Sequence, residues 1–216
     1  MRSSIPWGEF VFNFFVIATI AMYINTLSHE WAHSFMASIF KIKSNPFDIH
    51  YTPFLFGIDE KVDYSRVSEL KSWKGALISL AGPLSNFIFA CFSIILILSL
   101  HWRSNMFNRS LLFFFYSLAF FGIGGWSNYT IIRGIKPRGD IANFLQYASI
   151  PAWTVYITGI ITTAILLFLF FGPVRVKFCE AFNLITSTNK ALQLIIVIFF
   201  FLMYQGSVIY NFLFKY

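Results

Sequence analysis

Five long apolar segments constrain the fold of this chain more than any other feature. They lie at approximately residues 10–40, 75–100, 111–132, 152–173 and 191–214. Each approaches or exceeds the roughly 20 residues that a helix needs to cross a bilayer. Spanning segments of this kind form helices, because lipid offers the backbone no hydrogen-bond partners. We therefore predict an all-α polytopic membrane protein with about five transmembrane helices, built as a single membrane domain over residues 1–216.

Glycine and proline mark places where these helices are expected to be disturbed. Gly82-Pro83 predicts a kink or a loosened first part of the second segment. Three glycines near the end of the third segment either allow close helix packing or break the helix: Gly122, Gly124 and Gly125. The fourth helix is open to an earlier start at Asp140, with Pro151 as an interior kink.

The longest polar stretch, residues 41–74, separates the first two apolar segments. Its sequence "FDIHYTPFLFG" predicts short extended strands joined by a turn, and we place a small membrane-associated β-hairpin at 46–57. The following "DEKVDYSRVSELKSWK" predicts a loop with one helical turn.

The basic residues give the chain a formal charge of +7, and they lie between the apolar segments. That distribution favours membrane topology over nucleic-acid binding. Ten of the 16 Lys and Arg residues fall on the side of residues 41–74 and six on the other side. By the positive-inside rule we expect a multi-pass protein with its N-terminus outside and residues 41–74 in the cytoplasm. The N-terminal segment has no clear cleavage site, so we expect it to be retained.

The sequence His29-Glu30-Trp31-Ala32-His33 matches the pattern HExxH within the first apolar segment. Positions i and i+4 share one face of a helix, so both imidazoles can reach one zinc ion. Zinc lowers the pKa of bound water to about 7, and Glu30 can then accept the proton as general base. Ionisable groups inside a membrane helix are costly unless they have a function.

Two histidines hold zinc poorly, so a third ligand must come from another part of the chain. The predicted topology brings residues 82–86 and Asp140 to the same cytoplasmic depth as the histidines. Asp140 is also open to interpretation as a helix N-cap. Competing ligands are His50 and Asp48, whereas His101 and Glu180 fall on the opposite side of the membrane.

Three sequence features together resemble the site-2 protease family, the intramembrane zinc metalloproteases of peptidase family M50. They are "HEWAH", "ISLAGPLSNF" at the start of the second segment, and an Asn…Pro…Asp stretch ahead of a later one. The resemblance covers about residues 15–150, which implies a catalytic core at about 10–150 and additional transmembrane helices at about 152–214.

The resemblance implies a role for each matching residue. His29, His33 and Asp140 would be the zinc ligands and Glu30 the catalytic base. Asn86 and Asn128 would bind the substrate backbone or stabilise the oxyanion. This sequence departs from the family pattern at Asp140, which is followed by Ile141 rather than Gly, and Asn128 lies twelve positions before Asp140 rather than about eight.

These observations predict an intramembrane zinc metalloprotease that hydrolyses peptide bonds in or next to transmembrane segments of membrane-protein substrates. Its expected cofactor is Zn²⁺, and its partners are the substrate and the lipid bilayer, with no nucleic acid. The missing Asp-Gly pair motivates an alternative: a catalytically silent relative that binds a partner or a metal without turnover. A transporter ranks below both, since the chain lacks repeated halves.

Overall fold

The computed structural model describes residues 7–51, 58–102, 105–182 and 184. These residues form six helices and no strand: α1 Trp7–Ile39, α2 Tyr64–Ser68, α3 Ser72–Ser99, α4 Met106–Ile135, α5 Asp140–Ala148 and α6 Ala152–Ala181. Four of them, α1, α3, α4 and α6, are long and apolar enough to cross a membrane. The fifth predicted span, 191–214, lies outside the described residues.

The long helices are irregular at identifiable places. Helix α1 has 33 residues, which corresponds to about 50 Å and exceeds the roughly 30 Å hydrocarbon thickness. Helix α4 contains one π-helical turn, Asn128–Ile132. Helix α6 is kinked at Gly172, whose φ of −86° and ψ of −109° are not helical. The kink precedes Pro173, because a residue before proline is driven out of the α conformation.

The core lies where α1, α3 and α4 meet, and α6 packs against α4. Gly122 of α4 approaches the backbone of α3 so closely that a Cβ there would lie 2.7 Å from the Asn86 carbonyl oxygen. The glycine-rich end of the third segment therefore serves close packing and does not break the helix. Six residues nearer the beginning of α4, Tyr116 stacks on Phe178 of α6 with ring centroids 4.1 Å apart.

The structure locates both prolines, and it corrects the prediction for Pro151. Pro83 lies inside α3, which continues as one helix from Ser72 to Ser99. Pro151 is not an interior kink of the fourth span: α5 ends at Ala148, Ser149 is left-handed, and α6 begins at Ala152. Because Pro151 has no N–H to donate, it is suited to the position just before a helix.

The predicted β-hairpin at 46–57 is not found in the described part of that segment. A single antiparallel bridge joins His50 and Asp59, and residues 52–57 lie outside the described residues. Side-chain hydrogen bonds, rather than a ladder of hydrogen bonds between strands, hold the described part of this segment together. Lys43 donates to the backbone carbonyls of Asp48 and Glu60. The predicted helical turn is confirmed as α2, with Asp63 capping its N-terminus.

An ion pair joins the beginnings of α1 and α4. Arg109 donates to both carboxylate oxygens of Glu9, from Nε at 2.8 Å and from Nη2 at 2.5 Å. The side chains retain only 16% and 10% exposure. Such bidentate pairing is among the strongest side-chain contacts, so it fixes these two helix ends against each other.

Candidate metal centre

Helix α1 places His29 and His33 on one face, as the i, i+4 spacing predicts. Both residues are buried, with 5% and 1% of their surface exposed. Their Nε2 atoms lie 3.3 Å apart. Both imidazoles therefore direct the same ring nitrogen to one point between α1 and the rest of the bundle.

The carboxylate of Asp140 completes this group from a segment more than a hundred residues away. Its Oδ2 lies 3.5 Å from the Nε2 of His29 and 3.5 Å from the Nε2 of His33. Asp140 is the first residue of α5 and follows Gly139, whose φ of 55° and ψ of −136° belong to a region that essentially only glycine occupies. Gly139 thus turns the chain so that α5 starts at the histidines.

The spacing of these three atoms fits a zinc ion. Ligand atoms at about 2.0–2.1 Å from a tetrahedral zinc lie about 3.3–3.4 Å from one another. The observed separations of 3.3 and 3.5 Å are close to that edge length. Two histidines and a carboxylate are also a ligand set typical of catalytic zinc, which keeps a fourth position open.

Contacts on the far side of each ring bear on which of its nitrogens is free to bind metal. His33 Nδ1 lies 2.6 Å from the Ile78 carbonyl oxygen, which only accepts, so Nδ1 carries the proton and Nε2 has the lone pair. His29 Nδ1 lies 3.1 Å from Nδ2 of Asn86, whose Oδ1 has no hydrogen bond within the described residues. A half-turn of this amide would let Oδ1 accept from Nδ1–H, which gives His29 the same tautomer as His33.

Gly82 of α3 provides the space for the two imidazoles. A Cβ atom at this position would lie 2.2 Å from His33 Nε2 and 2.6 Å from His29 Nε2. Any side chain here would occupy the point to which both ring nitrogens are directed. Gly82 therefore keeps open a cradle whose dimensions suit a single ion.

The protonation of Asp140 is also suited to metal binding. Burial raises the pKa of its carboxyl group, but the contacts with His29 and His33 outweigh burial and hold the pKa well below its usual value. Asp140 is therefore a carboxylate at neutral pH, which is the form that ligates a metal.

Comparison with known protein families identifies this arrangement. The sequence model of peptidase family M50 matches residues 17–213. This chain belongs to peptidase family M50. Comparisons with curated proteins and with solved structures gave no match. Family M50, the site-2 protease family, is membrane-embedded and in general consists of zinc metallopeptidases, so the resemblance found in the sequence is confirmed.

Glu30, the acidic residue of the HExxH pattern in this M50 chain, faces the connection between α1 and α3. Its carboxyl group is within hydrogen-bonding reach of Glu60, which in turn lies beside the hydroxyl of Tyr64. Burial raises the pKa of Tyr64, and the negative charges of Glu60 and Asp140 add to the rise. Tyr64 is therefore a neutral hydroxyl at the margin of the site.

Helix α4 contributes an aromatic and a cationic side chain to the M50 site. The ring of Tyr129 lies against that of His29, with centroids 4.7 Å apart. The guanidinium of Arg133 lies over the ring of Tyr129, with Cζ 3.9 Å from the ring centroid. Arg133 Nη1 lies 4.0 Å from Asp140 Oδ2.

The structure places the remaining predicted residues as follows. Asn86 is buried beside His29. Asn128 is buried in the π-helical turn of α4, and its Oδ1 has no hydrogen bond within the described residues. The substrate-binding roles of both stay predictions. The competing ligands lie elsewhere: Asp48 pairs with Lys61, His50 is exposed at the bridge, and His101 and Glu180 line a separate cavity.

Sequence reasoning did not find Glu60, Tyr64, Tyr129 or Arg133. Glu60 and Tyr64 reach the site through the path of an irregular connection, for which the sequence carries no periodic signal. Tyr129 and Arg133 are separated by four positions on a helix, so they share a face. That spacing, just ahead of Asp140, was the available signal for a cation at the metal site.

Proposed function

We propose that this chain is an intramembrane zinc endopeptidase that hydrolyses peptide bonds in or next to transmembrane segments of membrane proteins. The observation that carries the proposal is the convergence of His29 Nε2, His33 Nε2 and Asp140 Oδ2 within 4.8 Å of one another. In this proposal those three residues hold the zinc ion, which when bound supplies a Lewis acid that activates water.

Glu30 acts in this proposal as the general base. It directly follows the ligand His29 on α1 and is only half-buried, so part of its side chain is accessible beside the metal site. A carboxylate here can accept a proton from the attacking water and pass it to the leaving amine. The glutamate of an HExxH pattern has this role in zinc metalloproteases. Removal of such a group typically lowers the rate about 10²- to 10⁴-fold.

We propose further that Asn86 orients His29 through the Nδ1 contact and so supports the metal site from behind. Partners of this kind on ligating histidines fix the tautomer and the ring orientation. Asn128, with its buried and unbonded Oδ1, is the proposed contact for the substrate backbone.

A helical substrate must be unwound before it can be cut, because its carbonyl groups are bonded within the helix. We propose that the chain around the His50–Asp59 bridge offers backbone groups to the extended substrate by strand addition. The charge distribution supports an orientation in which the N-terminus is outside and the site opens toward the cytoplasm, where water is available.

The test combines metal analysis with a cleavage assay. Wild type and Glu30→Gln are purified, their zinc content is measured, and each is reconstituted with a panel of single-span membrane proteins whose fragments are identified by mass spectrometry. We expect about one zinc per chain in both and cleavage at least ~100-fold slower in Glu30→Gln. Glu69→Gln, which alters an exposed carboxylate in the connection, is the matched control and should cleave like wild type.

Two outcomes would contradict the proposal. Cleavage by Glu30→Gln at the wild-type rate would remove Glu30 from the reaction. A wild-type protein that holds zinc and cuts no member of the panel would support the silent relative instead, the alternative that the missing Asp-Gly pair motivates.

A further inference from the structure

The guanidinium of Arg133 lies at the edge of the metal site. Its Cζ lies 3.9 Å from the centroid of the Tyr129 ring, well within the roughly 6 Å of a cation–π contact. Tyr129 in turn packs on His29. A Cβ at Gly139 would lie 2.8 Å from Arg133 Nη1, so the turn before α5 leaves just enough room for the guanidinium.

This guanidinium has a donor that the described part of the protein does not use. Its Nε is buried and makes no hydrogen bond within the part of the chain that the structure describes. The closest carboxylate contact, Nη1 to Asp140 Oδ2, measures 4.0 Å. A charge-assisted hydrogen bond between such groups measures about 2.7–2.9 Å, so Arg133 is not hydrogen-bonded to Asp140.

A structural role alone does not explain this geometry. An arginine that served to orient Asp140 would be expected to donate directly to the carboxylate, ideally with two parallel hydrogen bonds. Arg133 instead is oriented by the face of Tyr129 and by the backbone at Gly139. Its Nη1 lies 4.0 Å from the ligand oxygen Asp140 Oδ2, close enough to the three ligand atoms to reach an acceptor that arrives there with the substrate.

We propose that Arg133 donates a hydrogen bond to the carbonyl oxygen of the scissile peptide bond and stabilises the negative charge that develops there. This inference rests on the proposed proteolytic function and adds a catalytic residue to it. During the reaction the water oxygen bonds to the carbonyl carbon, Glu30 takes the water proton, and the C–N bond breaks as that proton passes to the amine nitrogen. Arg133 keeps its protons and contributes only charge and hydrogen bonds.

Two side chains of α4, Asn128 and Arg133, are candidates for the donor to the oxyanion, and their contacts favour Arg133. The amide predicted for this task, Asn128, lies five residues before Arg133 in the π-helical turn of α4, and its Oδ1 has no hydrogen bond within the described residues. Arg133, by contrast, contacts both a ring that packs on one ligand and the carboxylate of another. Loss of one preorganised donor to a developing oxyanion typically costs about 10²- to 10³-fold in rate.

The test measures binding as well as turnover. Zinc-loaded wild type, Arg133→Gln and Arg133→Lys are compared for zinc content and for the Kd of a phosphinic tripeptide analogue. Its tetrahedral anion resembles the charge distribution of the transition state. The parent tripeptide amide, which has the same side chains and no anion, is the reference ligand. Arg138→Gln, which alters an exposed arginine between α4 and α5, is the matched control variant.

We expect Arg133→Gln to hold zinc normally and bind the parent peptide normally, but to bind the phosphinic analogue at least ~10-fold more weakly. Arg133→Lys keeps the charge without the planar fork, so it should fall between wild type and Arg133→Gln. A loss of zinc, an equal loss for both ligands or no loss at all would overturn the proposal, as would a wild type that does not prefer the phosphinic analogue. These readouts do not depend on finding a substrate, so they are separate from the Glu30→Gln test.

Discussion

The cradle at Gly82 allows the metal site to be tested with a single methyl group. In Gly82→Ala the new Cβ would lie 2.2 Å from His33 Nε2 and 2.6 Å from His29 Nε2, whereas ordinary contact begins at 3.4 Å. The two nitrogen atoms would have to withdraw by about 1.2 Å and 0.8 Å. Ligand distances in a functional metal site vary by only about 0.2 Å, so the variant cannot keep both histidines in place.

We expect zinc affinity to fall at least ~100-fold in Gly82→Ala. Loss of a residue that only hydrogen-bonds to a ligating histidine already lowers metal affinity about 10–100-fold, and this variant displaces the ligands themselves. A 100-fold loss corresponds to about 2.7 kcal/mol of binding free energy. The measurement is a zinc titration against a competing chelator. Gly8→Ala is the matched control, since a Cβ there meets nothing within 4 Å. Wild-type zinc affinity in Gly82→Ala would refute the placement of the ion between these imidazoles.

Three further predictions concern the support of the site and its metal. Asn86→Ala removes the partner of His29 Nδ1 and should lower zinc affinity about 10–100-fold in the same titration; an unchanged affinity would show that the amide does not orient the ring. Glu9→Gln leaves Arg109 without its carboxylate and should lower the free energy of unfolding by about 1–3 kcal/mol, less than a fully buried pair because both side chains keep some exposure. Zinc content should not change in Glu9→Gln, and a parallel loss of metal would contradict the separation of the two ends. Removal of metal with 1,10-phenanthroline should abolish cleavage, and stoichiometric Zn²⁺ should restore it while Mg²⁺ should not, because imidazole ligands favour zinc over magnesium. Recovery with Mg²⁺ in the cleavage assay would argue against the ligand set.

The parts of the fold and site that follow from short-range rules were predictable from the sequence. The apolar segments predict α1, α3, α4 and α6, because in lipid a single segment of this length can form all its backbone hydrogen bonds only as a helix. The i, i+4 spacing fixes His29 and His33 on one face. The Asp140 prediction came from topology and family resemblance together, and the three ligand atoms do converge.

Other features depend on tertiary contacts for which the sequence carries no local signal. The approach of Glu60 to Glu30 requires the path of the connection, which is set by Lys43 and by the His50–Asp59 bridge. The expected hairpin was wrong in the described residues, where an apolar side chain of the segment packs on α1 rather than on a second strand. Phe47, for example, packs edge-on against Trp31.

The distance along α1 between the Glu9–Arg109 ion pair and the histidines can be compared with the thickness of a membrane. Glu9 and His29 are twenty residues apart, which on a helix is about 30 Å and matches the hydrocarbon layer of a typical bilayer. If charged groups hold Glu9 and Arg109 at one surface, the ligands come to rest at the opposite surface. If the chain is the proposed protease, longer lipid tails would place its cleavage position deeper along a substrate helix, and shorter tails would shift that position toward water.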